Sequence, residues 1–329
     1  MNKEKVVIFG AGKIGKEASV ALSNEGKEVL YFIDNNKELH GMQIAGVEVI
    51  GIDDYVTRNY DYRIIIACAL EYQLQIEEVL KERDVTQYSF YDRASNSHKE
   101  RLISYAASEE LEDVILYHVF KDAKEVFYID VGSNDPFAGS VTKLLYDMKN
   151  ANGINIEPIE EFYTLTCKER PRDITIQTAL GAEAGRMKMY VQSGLSTLIE
   201  DNMVSENVPT IEVSITTLKN VCEEYIPDRR EYSFLKVDVE GFEKEVLLGA
   251  DFSKYRPNVI VMESTLPNTS IPCYDNWEYI LLENDYHFAY KRGVNRYYIA
   301  NEHEELNLKF LELNNIDDMY DIYSVGVVK

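Results

Sequence analysis

The chain has 329 residues, 45% hydrophobic and 11% aromatic, a composition that excludes disorder and allows about two domains with cores of their own. Fifty-seven acidic residues against 34 basic ones give a net charge of -23, which argues against nucleic acid and anionic membranes as partners. The four cysteines, Cys68, Cys167, Cys222 and Cys273, form no CxxC pair, the longest apolar run (Ile64 to Leu70) is too short to span a bilayer, and the amino terminus lacks the order of a signal peptide, so a soluble cytoplasmic protein with reduced thiols is expected.

Lys5 to Phe9 reads as a buried strand, followed by Gly10-Ala11-Gly12-Lys13-Ile14-Gly15 and a helix to about Asn24. Glu28 to Ile33 is a second strand ending in Asp34, and Ile64 to Ala69 a third, all apolar. Strands alternating with helices predict a small parallel-sheet domain over residues 1–93. The GxGxxG run between strand and helix allows backbone N–H groups to approach a pyrophosphate, with Gly10, Gly12, Gly15 and Asp34 as candidate ligand residues. A tight turn that binds nothing explains the same glycines, and a nucleotide or nucleotide-sugar suits the loop as well as NAD does. Residues 94–124 read as a helical connector, with Leu111, Val114, Ile115, Val119 and Phe120 spaced for one buried helix face.

A second α/β series is expected over 125–329. Val126 to Val131 is a strand ending in Asp130-Val131-Gly132-Ser133-Asn134-Asp135-Pro136, and Gly153 to Glu157 another ending in an acid. Gly132 removes a side chain that would block a ligand, Asp130 can accept from the ammonium group of an amino-acid tail, and Glu157 can accept from ribose hydroxyls. The run Phe234 to Glu243, which opens as a strand to Val239, carries Asp238 and Glu240 at i, i+2, which in extended backbone share a face. Asn258 to Met262 leads to Glu263. Three carboxylates at one sheet edge can steady a cation, bind a divalent metal or take a proton from an alcohol; as capping or ion-pairing residues they need none of these roles.

From Phe127 to about Ala300 the sequence resembles the FkbM-type methyltransferase family. The pieces are DVGSNDP at 130–136, INIEP at 154–158, RPRD at 170–173, GLST at 194–197, LKVDVEGFEKEVLLG at 235–249 and RPNVIVMEST at 256–265, in the family's order. The tail GVNRYYIANEHEEL at 293–306 is similar to a branch associated with glycan modification. The resemblance implies a Rossmann-like domain that uses S-adenosylmethionine to methylate an oxygen, with Asp130, Gly132, Asn134 and Glu157 holding the donor and Asp238 beside donor and acceptor. Two Rossmann-like domains, the larger a methyltransferase, are the expected architecture. A hydroxyl of a sugar or glycan is the expected acceptor, with Asp238 as base and Glu240 and Glu263 as helpers or metal ligands. Ser196, Arg296 and His303 are candidate substrate contacts, and an ordinary loop, a surface ion pair and an exposed helix start are their plainer readings. A nicotinamide oxidoreductase built on the first glycine loop and a non-catalytic nucleotide-sugar-binding protein are the rival functions. Homo-oligomerisation, the acceptor itself and the metal requirement stay open at this level.

Overall fold

Four consecutive apolar side chains, Val6 to Phe9, are each at most 1% exposed, so the strand that carries them is covered on both faces. The computed structural model describes residues 3–58, 60, 62–92, 97–104, 110–192, 196–199, 208–267 and 269–324. It divides into two units, one built on residues up to Ile103 with Asn315–Tyr323, the other on Ser104–Asn314.

In the first unit, β1 (Lys5–Phe9), β2 (Glu28–Ile33), β3 (Gln43–Ile44), β4 (Val47–Ile50), β5 (Arg63–Ile66), β6 (Tyr88–Asp92) and β7 (Ser97–Ser104) share one sheet with the strand Tyr320–Ser324. Its order is Tyr320–Ser324, β7, β6, β5, β1, β2, β4, β3. The members from β6 to β4 are parallel, and β7 and β3 pair antiparallel with β6 and β4. Alternation splits β1 between two cores: Val7 and Phe9 pack with Ile76 and Leu80, Val6 and Ile8 with Ala18, Ala21 and Leu22.

The described residues of 94–124 divide between the two units and do not form one helical connector. Ser97–Ser104 is a strand, registered on β6 through Phe90–Lys99 and Asp92–Ser97. The helix Glu112–Phe120 belongs to the second unit and is buried at every position from Asp113 to Phe120, not on one face. The cause is cover from several directions: Phe120 stacks on Phe234 of the sheet at 5.8 Å, and the helices Lys143–Met148 and Leu306–Glu312 pack against it. A helix enclosed in this way can be apolar all round.

The main sheet of the second unit contains β8 (Phe127–Val131), β9 (Asn152–Ile156), β10 (Ile174–Ile176), β14 (Glu231–Val237), β15 (Arg256–Glu263), β16 (Tyr286–Arg292) and β17 (Asn295–Ala300). Between β10 and β14 in the chain, β11 (Ala179–Leu180), β12 (Gly185–Tyr190) and β13 (Thr210–Thr216) make a separate three-stranded sheet. The main order is β10, β9, β8, β14, β15, β17, β16, parallel through β15 and antiparallel beyond it. The chain runs outward from β8 to β10, then returns to β14 on the other side of β8. That reversal leaves a crevice at the carboxyl ends of β8 and β14, where ligands of open α/β sheets bind.

Arg170, 1% exposed, braces the loop that borders this crevice. Its guanidinium donates to the Pro136 carbonyl at 2.7 Å, to Thr142 Oγ1 at 2.8 Å and to Ser140 Oγ. Asp173 accepts from Tyr128 Oη, Gly153 N–H and Asn155 Nδ2 at 2.7–2.9 Å. The RPRD segment thus ties strands and loop together from behind the site.

Candidate active site

The loop after β8 turns at Gly132 with φ +76°, and a Cβ there would stand 2.0 Å from the Asp238 carbonyl oxygen. Glycine alone lets the ends of β8 and β14 approach this closely. Asn134 follows in the left-handed region, and its N–H donates to Glu157 Oε2 at 2.8 Å while the Ile159 N–H donates to Oε1 at 2.7 Å. These residues border a cleft of about 510 Å³, lined also by Ser133, Asp135, Phe162, Thr178, Met189, Ser196, Leu198, Lys236, Asp238 and Glu240. Ser133 Oγ is buried in the wall with no hydrogen-bond partner.

Asp238, Glu240 and Glu263 each bring a carboxylate oxygen within 4.8 Å of the others. Asp238 and Glu240 do not meet by extended alternation: β14 ends at Val237, and Glu240 sits at φ 53° before Gly241 at φ 100°. The buried Thr197 hydroxyl donates to the Glu240 carbonyl at 2.8 Å and pins the turn. Glu243, 2% exposed, accepts from the Val239 and Gly241 N–H groups at 3.2 and 3.0 Å. Lys236, 7% exposed, lies 3.4 Å from Asp238 and 3.5 Å from Asp130 and donates to the Gly132 carbonyl at 3.0 Å. Burial opposes its charge, but Asp238 and Asp130 more than offset this and hold the ammonium protonated.

Burial, with the Asp238 charge adding, pushes the Glu240 carboxyl up to about 8 and Glu263 up to about 10. Glu243 and Glu112 are pushed to about 7, chiefly by burial. Groups whose folded pKa lies above the unfolded value keep extra protons in the folded state, so their contribution to stability falls as pH rises through that window. Glu263→Gln is expected to flatten the decline in melting temperature between about pH 5 and pH 9. Thermal melts across that range test this, and a slope equal to that of the unaltered protein contradicts it.

Several sequence candidates take other positions. Asp130 does not line the cleft: it is 1% exposed, held by Lys236 and by Thr142 Oγ1 at 3.3 Å, because its strand position points it beneath the Gly132 turn. Glu263 lies behind the cleft lining and joins it through the carboxylate cluster. Ser196 does line the cleft, its Oγ accepting from the Gln192 N–H at 2.9 Å, whereas Gly194 and Leu195 of the GLST segment lie outside the described residues. Arg296 is committed within the fold, donating to Glu278 at 2.7 Å and to Tyr298 Oη at 2.8 Å and stacking on Tyr274 at 3.8 Å. His303 is at the wrong end of the sheet. It lies 4.0 Å from Glu231, the first residue of β14, while the cleft opens beyond the last, about 20 Å away at strand rise. Lys236 and Ser133 are the cleft residues that sequence reasoning passed over. Lys236 had a signal, two residues before Asp238; Ser133 had none.

In the first unit a cavity of about 420 Å³ is bordered by Gly10, Gly12, Lys13, Asp34, Cys68 and Tyr72. A Cβ on Gly15 would overlap the Gly10 carbonyl oxygen at 1.8 Å, whereas one on Gly12 would meet nothing within 4 Å. The Asp34 carboxylate accepts from the Ala11 and Asn36 N–H groups at 2.8 and 2.9 Å, so it braces the loop.

Comparison with known proteins follows this division. Residues 130–288 match the methyltransferase FkbM domain, and residues 2–90 match the C2185-like N-terminal domain. No curated protein matches the chain. Among solved structures, methyltransferase FkbM from Methylobacillus flagellatus KT aligns over 91% of this chain and 90% of its own, with 14% identity and a TM-score of 0.36. UDP-D-quinovosamine 4-dehydrogenase from Vibrio fischeri aligns over 29% of this chain and 82% of its own, with 20% identity and a TM-score of 0.25. The Rex-family repressor RSP aligns over 28% of this chain and 46% of its own, with 22% identity and a TM-score of 0.24. The stretch from Asp130 to Phe288, with the cleft and most of its carboxylates inside it, is a methyltransferase domain of the FkbM family.

Proposed function

We propose that this domain transfers a methyl group from S-adenosylmethionine to a hydroxyl oxygen of a sugar or glycan. The observation that carries the reading is the meeting of Gly132, Asn134, Glu157 and Asp238 in one cleft at the switch point of the sheet. The orphaned Ser133 Oγ in the cleft wall suits a donor with a polar amino-acid tail. Such a donor supplies an electrophilic methyl carbon on positively charged sulfur. The acceptor oxygen attacks that carbon, the carbon–sulfur bond breaks with its electrons going to sulfur, and the acceptor proton passes to a carboxylate. Asp238 takes that proton, and the cleft walls align acceptor and donor, which supplies much of the rate. Glu240 and Glu263 assist; with Asp238 they offer hard oxygen donors suited to a divalent cation, which would polarise the acceptor oxygen. The sugar acceptor rests on the likeness of the 293–306 segment to a glycan-modifying branch. No helix among the described residues is long and apolar enough to cross a membrane. The four cysteines are free thiols, which supports a cytoplasmic location.

The cavity of the first unit is a second site in this proposal, for a nucleotide or nucleotide-sugar. Its support is Gly12, which no packing contact requires to be glycine. Thermal shift tests both readings, because a ligand that binds only the native state raises the melting temperature. S-adenosylhomocysteine is expected to stabilise the chain, and a UDP-sugar to add a separate increment. Stabilisation by NADH alone would transfer the function to a nicotinamide enzyme, and by a UDP-sugar alone to a non-catalytic binding protein.

A further inference from the structure

We infer that Lys236 is a positioning residue whose buried ammonium clasps the two acid-bearing strand ends together and thereby sets the shape of the donor pocket. Lys236 lies directly opposite Asp130 in the register of β14 on β8. From there its Nζ reaches three oxygens on both sides of the switch point: Asp130 Oδ1 at 3.5 Å, Asp238 Oδ2 at 3.4 Å and the Gly132 carbonyl at 3.0 Å. The Gly132 contact is a hydrogen bond, and the two carboxylates are held as ion pairs at slightly longer range. Among the described residues lining the cleft it is the only cation. Glu112 at the start of its helix, Glu157 after β9, Glu240 and Glu243 after β14 and Glu263 at the end of β15 are further acids acting on it or on its partners, and Arg170 reaches Asp130 through Thr142 Oγ1, to which it donates at 2.8 Å. Nothing else in the cleft wall can neutralise Asp130, which is 1% exposed and has Thr142 as its other partner at 3.3 Å. Asp130, the acid that ends the first strand of the motif, thus acts as the buried anchor of the clasp, and the Gly132 turn above it is drawn against Asp238. A buried carboxylate deprived of its counter-charge is strongly unfavourable, whereas removing both charges together is tolerated.

The inference rests on the donor reading of the cleft. Its test is calorimetric titration of S-adenosylhomocysteine into the full chain, alongside thermal melts, for the unaltered protein, Lys236→Met, Lys236→Arg and Asp130→Asn/Lys236→Met. Lys236→Met is expected to lose stability and at least about tenfold in affinity. The double variant has no stranded carboxylate, so its melting temperature should recover. Its affinity should stay at least about tenfold weak, because Asp238 and the Gly132 carbonyl have lost their common donor. Lys236→Arg should regain part of the affinity. Should Lys236→Met fail to fold, the double variant alone decides. Affinity within about twofold of the unaltered protein, or affinity that returns together with the melting temperature, would reduce Lys236 to a structural counter-ion and overturn the inference. No binding by the unaltered protein would instead remove the donor reading beneath it.

Discussion

Asp238→Asn is expected to lower methyl transfer by about 10²–10⁴-fold, the usual worth of a positioned general base, while leaving the chain folded. A hydroxyl proton must leave as the new oxygen–carbon bond forms, and an amide of the same shape cannot accept it. Asp238 lines the cleft and Lys236 steadies it at 3.4 Å, so its carboxylate combines access with a fixed orientation. Its side chain is 42% exposed, which keeps the structural cost of the exchange small. Formation of S-adenosylhomocysteine in the presence of a neutral sugar acceptor is the measurement, with the melting temperature as control for folding. Turnover within about threefold of the unaltered protein would exclude Asp238 as the base and leave Glu240, the other carboxyl of the three-acid cluster that lines the cleft.

Gly132→Ala should abolish donor binding and destabilise the second unit by about 1–3 kcal/mol. Two costs coincide at this position. The backbone is at φ +76°, which L side chains rarely adopt, and the added methyl would lie 2.0 Å from the Asp238 carbonyl oxygen, a backbone atom that cannot swing away. Relief requires β8 and β14 to part at their carboxyl ends, which moves Glu157 through its bond to the Asn134 N–H and frees Lys236 from the Gly132 carbonyl. Gly185→Ala is the matched control, because a Cβ there meets nothing within 4 Å. Equal affinity of the two variants for S-adenosylhomocysteine, measured by titration, would show that the turn does not shape the pocket.

Much of the architecture is legible in the amino-acid order. Short apolar runs ending in Asp130, Glu157 and Glu263 mark parallel strands, and each acid lies within one residue of a strand's carboxyl end. The helix Lys13–Asn24 and the strands around it follow from periodicity and from glycines at a tight turn. The strands Val47–Ile50 and Tyr88–Asp92 escape the same reading. Each is short, and its burial is decided by a neighbouring strand distant in sequence, which no local pattern records.

The candidate site divides in the same way. That Gly132, Asn134, Glu157, Asp238 and Glu240 belong to one site is readable from acids and glycines at successive strand ends, since parallel strands present those ends at one edge. Which of the neighbouring polar residues share that edge is not. Asp130 falls beneath the turn, His303 at the far end of β14 and Arg296 into a stack with Tyr274, while Lys236 moves from the margin of the motif to its centre. Local order marks the strands whose apolar pattern is strong, because backbone propensity and burial period act over a few residues. Register between strands, and the desolvation that drives Glu240 and Glu263 upward while Lys236 stays charged, are set by contacts across more than a hundred positions. Only the folded chain brings those charges together, and their mutual distances decide which oxygen is free to meet a substrate.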